Sequence, residues 1–128
     1  MRVAKVAVTW ALQILFGLLF VMLGVMKFRP SWVGMFARWG YPDGFHMVIG
    51  VLEAAGGLAL IVPRFTTYGA ALLATIMVGA ALTHLVHQEM QRIGVPIAYL
   101  LVVTLVGWLR RASALPLRAR PARREAVI

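Results

Sequence analysis

The sequence predicts an all-α membrane protein: a four-helix transmembrane bundle with a short interfacial amphipathic helix between spans one and two. Hydrophobic residues fill 62% of the 128 positions and charged residues only 13%, whereas soluble domains carry about 25% charged residues. Four apolar runs of near-spanning length follow one another along the chain. Cysteine is absent, which excludes disulfides and thiolate chemistry by the chain itself.

The first apolar run covers residues 4–26 and is bounded by basic residues on both sides. The apolar core of a signal peptide is only about 7–15 residues long and ends in small residues before its cleavage site. This run is longer and leads into Lys27 without such a site. We therefore expect an uncleaved membrane span.

Three further apolar runs complete the predicted membrane part, at residues 45–62, 66–86 and 93–109. Helices are expected because every backbone amide in hydrocarbon needs a partner within its own segment. The alternating pattern of barrel strands is missing. Residues 1–109 are thus predicted to form one membrane domain.

The distribution of basic residues predicts the orientation of the chain. Cytoplasmic loops carry an excess of Lys and Arg, so the side with more of them is assigned to the cytoplasm. Both termini lie on the richer side, which predicts a multi-pass protein with both termini in the cytoplasm. The two sets are Arg2, Lys5, Arg64, Arg110, Arg111, Arg118, Arg120, Arg123 and Arg124 on the side of the termini, against Lys27, Arg29, Arg38 and Arg92.

The basic tail, residues 110–128, is predicted to be a disordered cytoplasmic segment. It contains Pro116 and Pro121 and shows no apolar period. Its positive charge suits contact with anionic lipid heads, and the lipid bilayer is the expected partner. Nucleic acid is not, because the tail has no aromatic residues on which bases could stack.

The loop after the first span is predicted to contain a short amphipathic helix. Ser31 is the expected cap and Gly40 the expected end. Two interpretations are open: the helix lies in the membrane interface, or it forms a lid in which Trp32 and Trp39 cover a pocket. Its apolar face carries Trp32, Met35, Phe36 and Trp39, spaced i, i+3, i+4 and i+7.

Glu53 is the acidic residue that the sequence places inside a membrane span. A carboxylate at this depth usually faces a partner or a cavity. Gly50, Ala54 and Gly57 share its helix face and allow close approach of another helix. The carboxylate either pairs with Lys27 to hold the bundle together or takes part in function.

A polar and glycine-lined stripe follows the first span and predicts its packing face. Its outer end is Lys27, which either snorkels to water or turns inward to form an ion pair with Glu53. The stripe consists of Gln13, Gly17, Phe20, Gly24 and Lys27. Across the spans, the glycines assigned to helix packing are Gly17, Gly24, Gly50, Gly57 and Gly79.

Three histidines are predicted at the outer side, near Glu53 and Lys27. His84 and His87 share one face of the third span with Met77 and Ala80, and His46 begins the second span. Interfacial residues without chemistry, ligands of a divalent metal, and proton exchange with a substrate or quinone are the alternatives. The spacing is not that of a metalloprotease helix, and no metal site is assigned.

Four motifs, taken in their order and spacing, resemble the DoxX and DoxX-like membrane proteins over residues 13–108. One departure is Gln13, where relatives often carry an arginine. The motifs are Gly17-x-x-Phe20-x-x-x-Gly24-x-x-Lys27, Glu53-x-x-Gly56-Gly57, Pro63-Arg64 and Met77-x-Gly79-Ala80.

The resemblance implies a four-helix membrane bundle that serves as a small accessory protein. Relatives include a subunit of thiosulfate:quinone oxidoreductase and a mycobacterial component that joins redox-stress enzymes at the membrane. The resemblance assigns no catalytic residue. The positions that match the family pattern are Gly17, Phe20, Gly24, Lys27, Glu53, Gly57 and Arg64.

Three functions are compatible with these observations. The first is a DoxX-like protein of the bacterial inner membrane that binds a small lipophilic or anionic ligand, such as a quinone, and supports a redox system. The second is a structural or assembly subunit that docks helices of a partner on its glycine faces, and the third is a small transporter formed by oligomerisation. The ligand or pocket candidates are Lys27, Glu53, His84, His87 and Gln13, under a lid of Trp32 and Trp39.

No intrinsic cofactor is expected, since the chain carries neither a covalent haem site nor ligands for a cluster. Any redox chemistry would therefore need a redox protein partner or a diffusing quinone. Whether the protein is an enzyme is left open by the sequence, and so is its oligomeric state.

Overall fold

The computed structural model describes residues 2–116, and this part of the chain is all-helical, as the sequence predicts. The remainder of the predicted basic tail, from residue 117 onward, lies outside the described residues. Single 3₁₀ turns at Met90–Arg92 and Arg111–Ser113 complete the secondary structure. The α-helices are α1 (Arg2–Met26), α2 (Pro30–Arg38), α3 (Phe45–Ile61), α4 (Thr66–Val86) and α5 (Gly94–Leu109).

Three helical segments of the described chain are long and apolar enough to cross a membrane: α1, α4 and the stretch Met90–Leu109 that contains α5. The fourth apolar helix, α3, has 17 residues and is shorter than these three. Large apolar side chains cover the outer surface of the helices. Leu15, Leu58 and Leu101, for example, are 63%, 58% and 67% exposed, as expected for helices that face lipid rather than water.

Helices α1 and α3 pack closely because glycines line both sides of their contact. A Cβ atom placed on Gly17 would lie 2.8 Å from the Gly57 carbonyl oxygen, and one placed on Gly24 would lie 2.7 Å from the Ala54 amide nitrogen. Real Cβ atoms do not approach that closely, so only glycine fits there. The buried residues of α1 are Thr9, Gln13, Gly17, Phe20 and Gly24.

Helix α4 lies between α3 and α5 and completes the core. Near the start of α4, Gly69 approaches the Gly56 carbonyl oxygen of α3, and Ala70 contacts Gly107 of α5. The centre of the molecule is filled by apolar side chains that solvent does not reach. Its fully buried members are Phe20, Leu60, Leu73, Val103 and Val106.

The sequence analysis assigned Gly79 to helix packing, and this prediction is wrong because Gly79 does not pack against another helix. No atom lies within 4 Å of the position that its Cβ would occupy. Helix α4 makes its close contacts near Gly69, at its other end. At the level of Gly79 the neighbouring helices stand apart, so this glycine borders a cavity instead.

The short helix α2 is present, but its first turn differs from the prediction. Arg29 occupies the N-cap position and Pro30 is the first helical residue, with no side-chain cap. Proline suits this position because its fixed φ matches the helix and its missing N–H would lack a partner there. Gly40 follows the helix with a φ of +85°, the left-handed conformation that glycine adopts without strain.

Candidate functional site

A cavity of about 450 Å³ lies at the end of the bundle where α1 and α4 end and α3 and α5 begin. Its volume falls in the range of about 300–1,000 Å³ that is typical of small-molecule sites. Helix α2 lies across it. Apolar side chains form most of the wall, among them Leu23, Ile49, Leu52, Ile76, Met77 and Val95.

An ion pair forms the charged part of the cavity wall. The ammonium nitrogen of Lys27 lies 3.1 Å from Oε2 of Glu53, and the two side chains are 10% and 3% exposed. The same ammonium lies 4.1 Å from the centroid of the Trp32 ring, a distance typical of a cation–π contact. Lys27 is therefore held between a carboxylate below and an indole of α2 above.

Aromatic packing holds helix α2 over the cavity, and two residues that follow the helix, Trp39 and Tyr41, add side-chain hydrogen bonds. Its buried residue, Phe36, contacts the rings of Trp39, Tyr41 and Phe45. The indole N–H of Trp39 donates to Oε1 of Glu89 over 2.8 Å. The hydroxyls of Tyr41 and Thr83 are hydrogen-bonded to each other. Trp32 and Trp39 both line the cavity, so the predicted lid residues occupy its cover.

Glu89 is a site residue that the sequence analysis missed. Besides the Trp39 indole, its carboxylate contacts Nδ1 of His84 at 3.3 Å and Nη1 of Arg92 at 3.5 Å. The hydrogen bond from Trp39 holds the pKa of Glu89 below its usual range, with smaller contributions from His84 and Arg92. The available signal was its position five residues after His84, in a chain that has only four acidic residues.

The three histidines do not gather at one place. His84 lines the cavity, whereas His87 lies outside it and approaches the Thr83 carbonyl with its Nδ1 at 2.9 Å. His87 borders a separate depression with Arg38 and Arg92. His46 packs against the ring of Phe36. His87 is the C-cap residue of α4, and its ring folds back onto the Thr83 carbonyl rather than lining the cavity.

Gln13 lies at the opposite end of the bundle from the cavity. It is fully buried, and its amide nitrogen donates to the Leu60 carbonyl over 3.1 Å and to the Thr66 hydroxyl over 3.0 Å. Its amide oxygen accepts a 2.7 Å hydrogen bond from Nε of Arg110. Gln13 thus joins α1 to the α3–α4 turn and to the end of α5.

The arrangement can bind an apolar molecule that carries a few polar atoms. Among residues 2–116, no group of three or more histidine, cysteine, aspartate or glutamate side chains could hold a metal ion. What the cavity provides is an ammonium donor, a carboxylate acceptor, the hydroxyls of Tyr41 and Thr83, and an imidazole, set in an apolar wall.

Comparison with known proteins gives one result. The model of a family described as the DoxX-like family matches residues 11–106. The curated proteins contain no match to the chain, and neither do the solved structures.

Proposed function

Because the chain belongs to the DoxX-like family and is a small membrane protein, we propose that it binds a lipophilic or anionic ligand, such as a quinone, as an accessory component of a redox system in the bacterial inner membrane. The observation that carries the proposal is the cavity itself. A buried Lys27–Glu53 ion pair in an otherwise apolar wall, below a lid of aromatic side chains, suits a ligand with an apolar ring and polar substituents.

The proposed architecture is a four-span bundle with both termini in the cytoplasm. Helix α3 is shorter than the other three apolar segments, which are α1, α4 and Met90–Leu109. Its 17 residues extend about 25 Å at about 1.5 Å per residue. Its packing against α1, from Gly50 near Gly24 to Gly57 near Gly17, supports treating it as a span too. The cavity then lies in the outer half of the bilayer, beneath the interface that α2 occupies.

The polar groups of the cavity match the needs of a quinone. The carbonyl oxygens of a quinone accept hydrogen bonds, which the Lys27 ammonium can donate. The hydroxyls of the reduced form donate, and the Glu53 carboxylate can accept. His84 is the proposed proton partner, because a positioned imidazole can take up or release a proton during quinone reduction. The electrons for this reduction would come from a redox protein partner; in the opposite direction, a bound quinol would give its electrons to that partner.

The cavity wall also supports entry of the ligand from the lipid. Leu52 and Val95 line the cavity, yet remain 36% and 57% exposed on the apolar outer surface. A lipophilic molecule dissolved in the bilayer can therefore approach between helices without crossing water. This favours a membrane-soluble ligand over a freely water-soluble one.

The two alternative functions have less support from the described residues. The glycines expected to dock a partner's helices are largely occupied within the chain, because Gly17, Gly24, Gly50 and Gly57 hold α1 and α3 together. A transport path through one copy would have to pass the centre of the bundle, where Phe20 and Leu73 are fully buried. A transporter would therefore need a path between copies.

Quinone titration of the purified protein in nanodiscs tests the proposal. Trp32 and Trp39 line the cavity, so tryptophan fluorescence reports occupancy. We expect saturable quenching by a short-chain ubiquinone analogue, weakened roughly tenfold or more by Lys27→Met and by Glu53→Gln, which is what a loss of about 1.4 kcal/mol produces. Lys5→Met is the matched control, since Lys5 is an exposed lysine of the same helix, and it should bind as the wild type does.

Circular dichroism of each variant separates lost binding from lost folding. A folded Glu53→Gln protein that binds the quinone as tightly as the wild type would overturn the proposal. So would the absence of saturable quenching in the wild type. Native mass spectrometry of protein purified in mild detergent covers the assembly alternative: a stable complex with another polypeptide, in protein that binds no quinone, favours the assembly subunit.

A further inference from the structure

We propose that Glu89 is a positioning residue that fixes the lid and the imidazole of the cavity together. One oxygen of its carboxylate, Oε1, accepts the indole N–H of Trp39 and contacts Nδ1 of His84. Closure of α2 over the cavity and the protonation pattern of His84 are therefore set by the same group. The inference rests on the proposed function only in that the cavity beneath the lid is the ligand site.

The lid has few other polar attachments to the rest of the chain. Within residues 2–116, the Trp39–Glu89 bond and the Tyr41–Thr83 bond are the side-chain hydrogen bonds that join the 30–41 segment to α4 and the turn after it. Two glycines with φ near +85°, Gly40 and Gly44, flank the connection to α3. A helix of nine residues with one buried side chain depends on such anchors, because it buries little apolar surface of its own.

Glu89 also determines which nitrogen of His84 carries the proton. An ionised carboxylate only accepts hydrogen bonds, so the contact at 3.3 Å requires Nδ1 of His84 to carry the hydrogen. In the neutral imidazole, Nε2 is then the atom that can accept a proton. The Trp39 ring meets the imidazole edge to face with centroids 5.6 Å apart, which further restricts the rotation of both rings.

Arg92 completes the arrangement from the solvent side. Its guanidinium lies 3.5 Å from Oε2 of Glu89, and its side chain is 47% exposed. The cation favours the ionised carboxylate while leaving Oε1 to Trp39 and His84. The carboxylate therefore faces the lid and the imidazole with one oxygen and the surface with the other.

Hydrogen–deuterium exchange of the ligand-free protein tests the lid part of the inference. Trp39→Phe keeps the ring and removes the N–H donor, and Glu89→Ala removes the acceptor. Each should speed amide exchange in residues 30–38 by about tenfold or more, since a hydrogen bond to a charged group is among the stronger ones. Trp32→Phe is the matched control in the same 30–41 segment, because the Trp32 ring, not its N–H, makes the contact with Lys27.

The outcomes of the exchange experiment are distinct. Faster exchange in both Trp39→Phe and Glu89→Ala, with Trp32→Phe close to the wild type, supports the inference. Equal exchange in the wild type and in folded Trp39→Phe overturns it. Glu89→Asp supplies a second test if the alanine variant does not fold: the shorter carboxylate should restore part of the protection.

Nitrogen-15 NMR of His84 tests the second part with a signal that lid stability alone does not move. In the wild type, we expect the neutral imidazole to be protonated at Nδ1. Glu89→Ala should shift the population toward the Nε2–H form, whereas Trp39→Phe should leave it at Nδ1–H. A wild-type imidazole protonated at Nε2 would overturn this part.

Both readouts are taken without ligand, so their failure is separate from failure of the proposed function. If they behave as expected and no quinone binds, the positioning role of Glu89 stands and the choice of ligand is wrong. If quinone binds but neither the amide exchange nor the NMR signal changes in the Glu89 variants, the proposed function stands and the positioning role of Glu89 is wrong.

Discussion

Lys27, which directly follows α1, and Glu53, the central residue of α3, form an ion pair with 3.1 Å between nitrogen and oxygen and with side chains no more than 10% exposed. Groups this buried have lost most of their hydration, so each depends on the other for compensation. The pair therefore joins the two helices and at the same time gives the cavity its charged groups. These two roles can be separated by experiment.

A double-mutant cycle measures the ion pair. Lys27→Met leaves the Glu53 carboxylate buried without its cation, and we expect a loss of about 3–5 kcal/mol in the free energy of unfolding. The double variant Lys27→Met, Glu53→Leu should lose clearly less than the sum of the two single variants, because no unpaired charge remains. Unfolding by denaturing detergent provides the measurement. Additive losses would contradict a direct pairing.

Helix packing predicts opposite effects for two glycine-to-alanine changes. In Gly24→Ala the new methyl group would lie 2.7 Å from the Ala54 amide nitrogen, so α1 and α3 must separate. Overpacking of this kind costs about 1–3 kcal/mol. Gly79→Ala is the control: no atom lies within 4 Å, and alanine gains up to about 1 kcal/mol of helix propensity. Thermal unfolding should rank Gly79→Ala at or above the wild type and Gly24→Ala well below it.

The polar network at the other end of the bundle predicts a stability loss without a binding effect. Gln13→Leu removes the partner of Nε of Arg110 and leaves the Thr66 hydroxyl and the Leu60 carbonyl with one contact fewer. Unsatisfied buried groups cost about 1–3 kcal/mol each. Thr75→Val is the comparison, because the exposed Thr75 hydroxyl bonds only within its own helix. Equal unfolding temperatures for both variants would contradict the role assigned to Gln13.

The lid bond predicts a pH dependence that begins only in acid. The pKa of Glu89 is lowered from a usual value of 4.5. The ionised carboxylate therefore stabilises the folded protein fully above that value, and this stabilisation is lost as the pH falls through the lower pKa of the folded state. We expect a transition in the indole N–H resonance of Trp39 on the acid side of pH 4.5, the usual pKa of the carboxyl group. Of the groups around the carboxylate, His84 and Arg92 favour its ionised form, and His87 and Arg38 border the same depression.

Two comparisons control the pH experiment. The Trp32 indole resonance should not follow this titration, because its ring contacts Lys27 rather than Glu89. In Glu89→Gln the Trp39 resonance should lose its acid transition. An acid transition of Trp39 that persists unchanged in Glu89→Gln would contradict Glu89 as the titrating partner.

Several features of the site could be anticipated from local spacing. Gln13 to Lys27 follow one another in steps of four and three residues, and the helical period puts such residues on one face whatever the helix packs against. The small residues on that face and around Glu53 indicated where two helices approach closely. Membership in the DoxX-like family, anticipated from motif order, is confirmed by the family match over residues 11–106.

The errors and omissions concern contacts between distant parts of the chain. Glu89 meets Trp39 across 50 residues, and Arg110 meets Gln13 across 97. Gly79 and Gly24 are both helical glycines, yet only Gly24 lies against another helix. Nothing in the local sequence distinguishes a glycine at a helix crossing from one beside a cavity.

The amino-acid sequence by itself determined the helical character of the chain, its membrane location and the faces along which its helices carry small and polar residues. These follow from composition and from a period of 3.6 residues, which act within one helix. Only the tertiary structure decided which faces meet, where the helices separate to leave a cavity, and which carboxylate holds the lid. Those outcomes depend on helix crossing positions and on turns such as the one after Val86, where a shift of one residue rotates a side chain by about 100°.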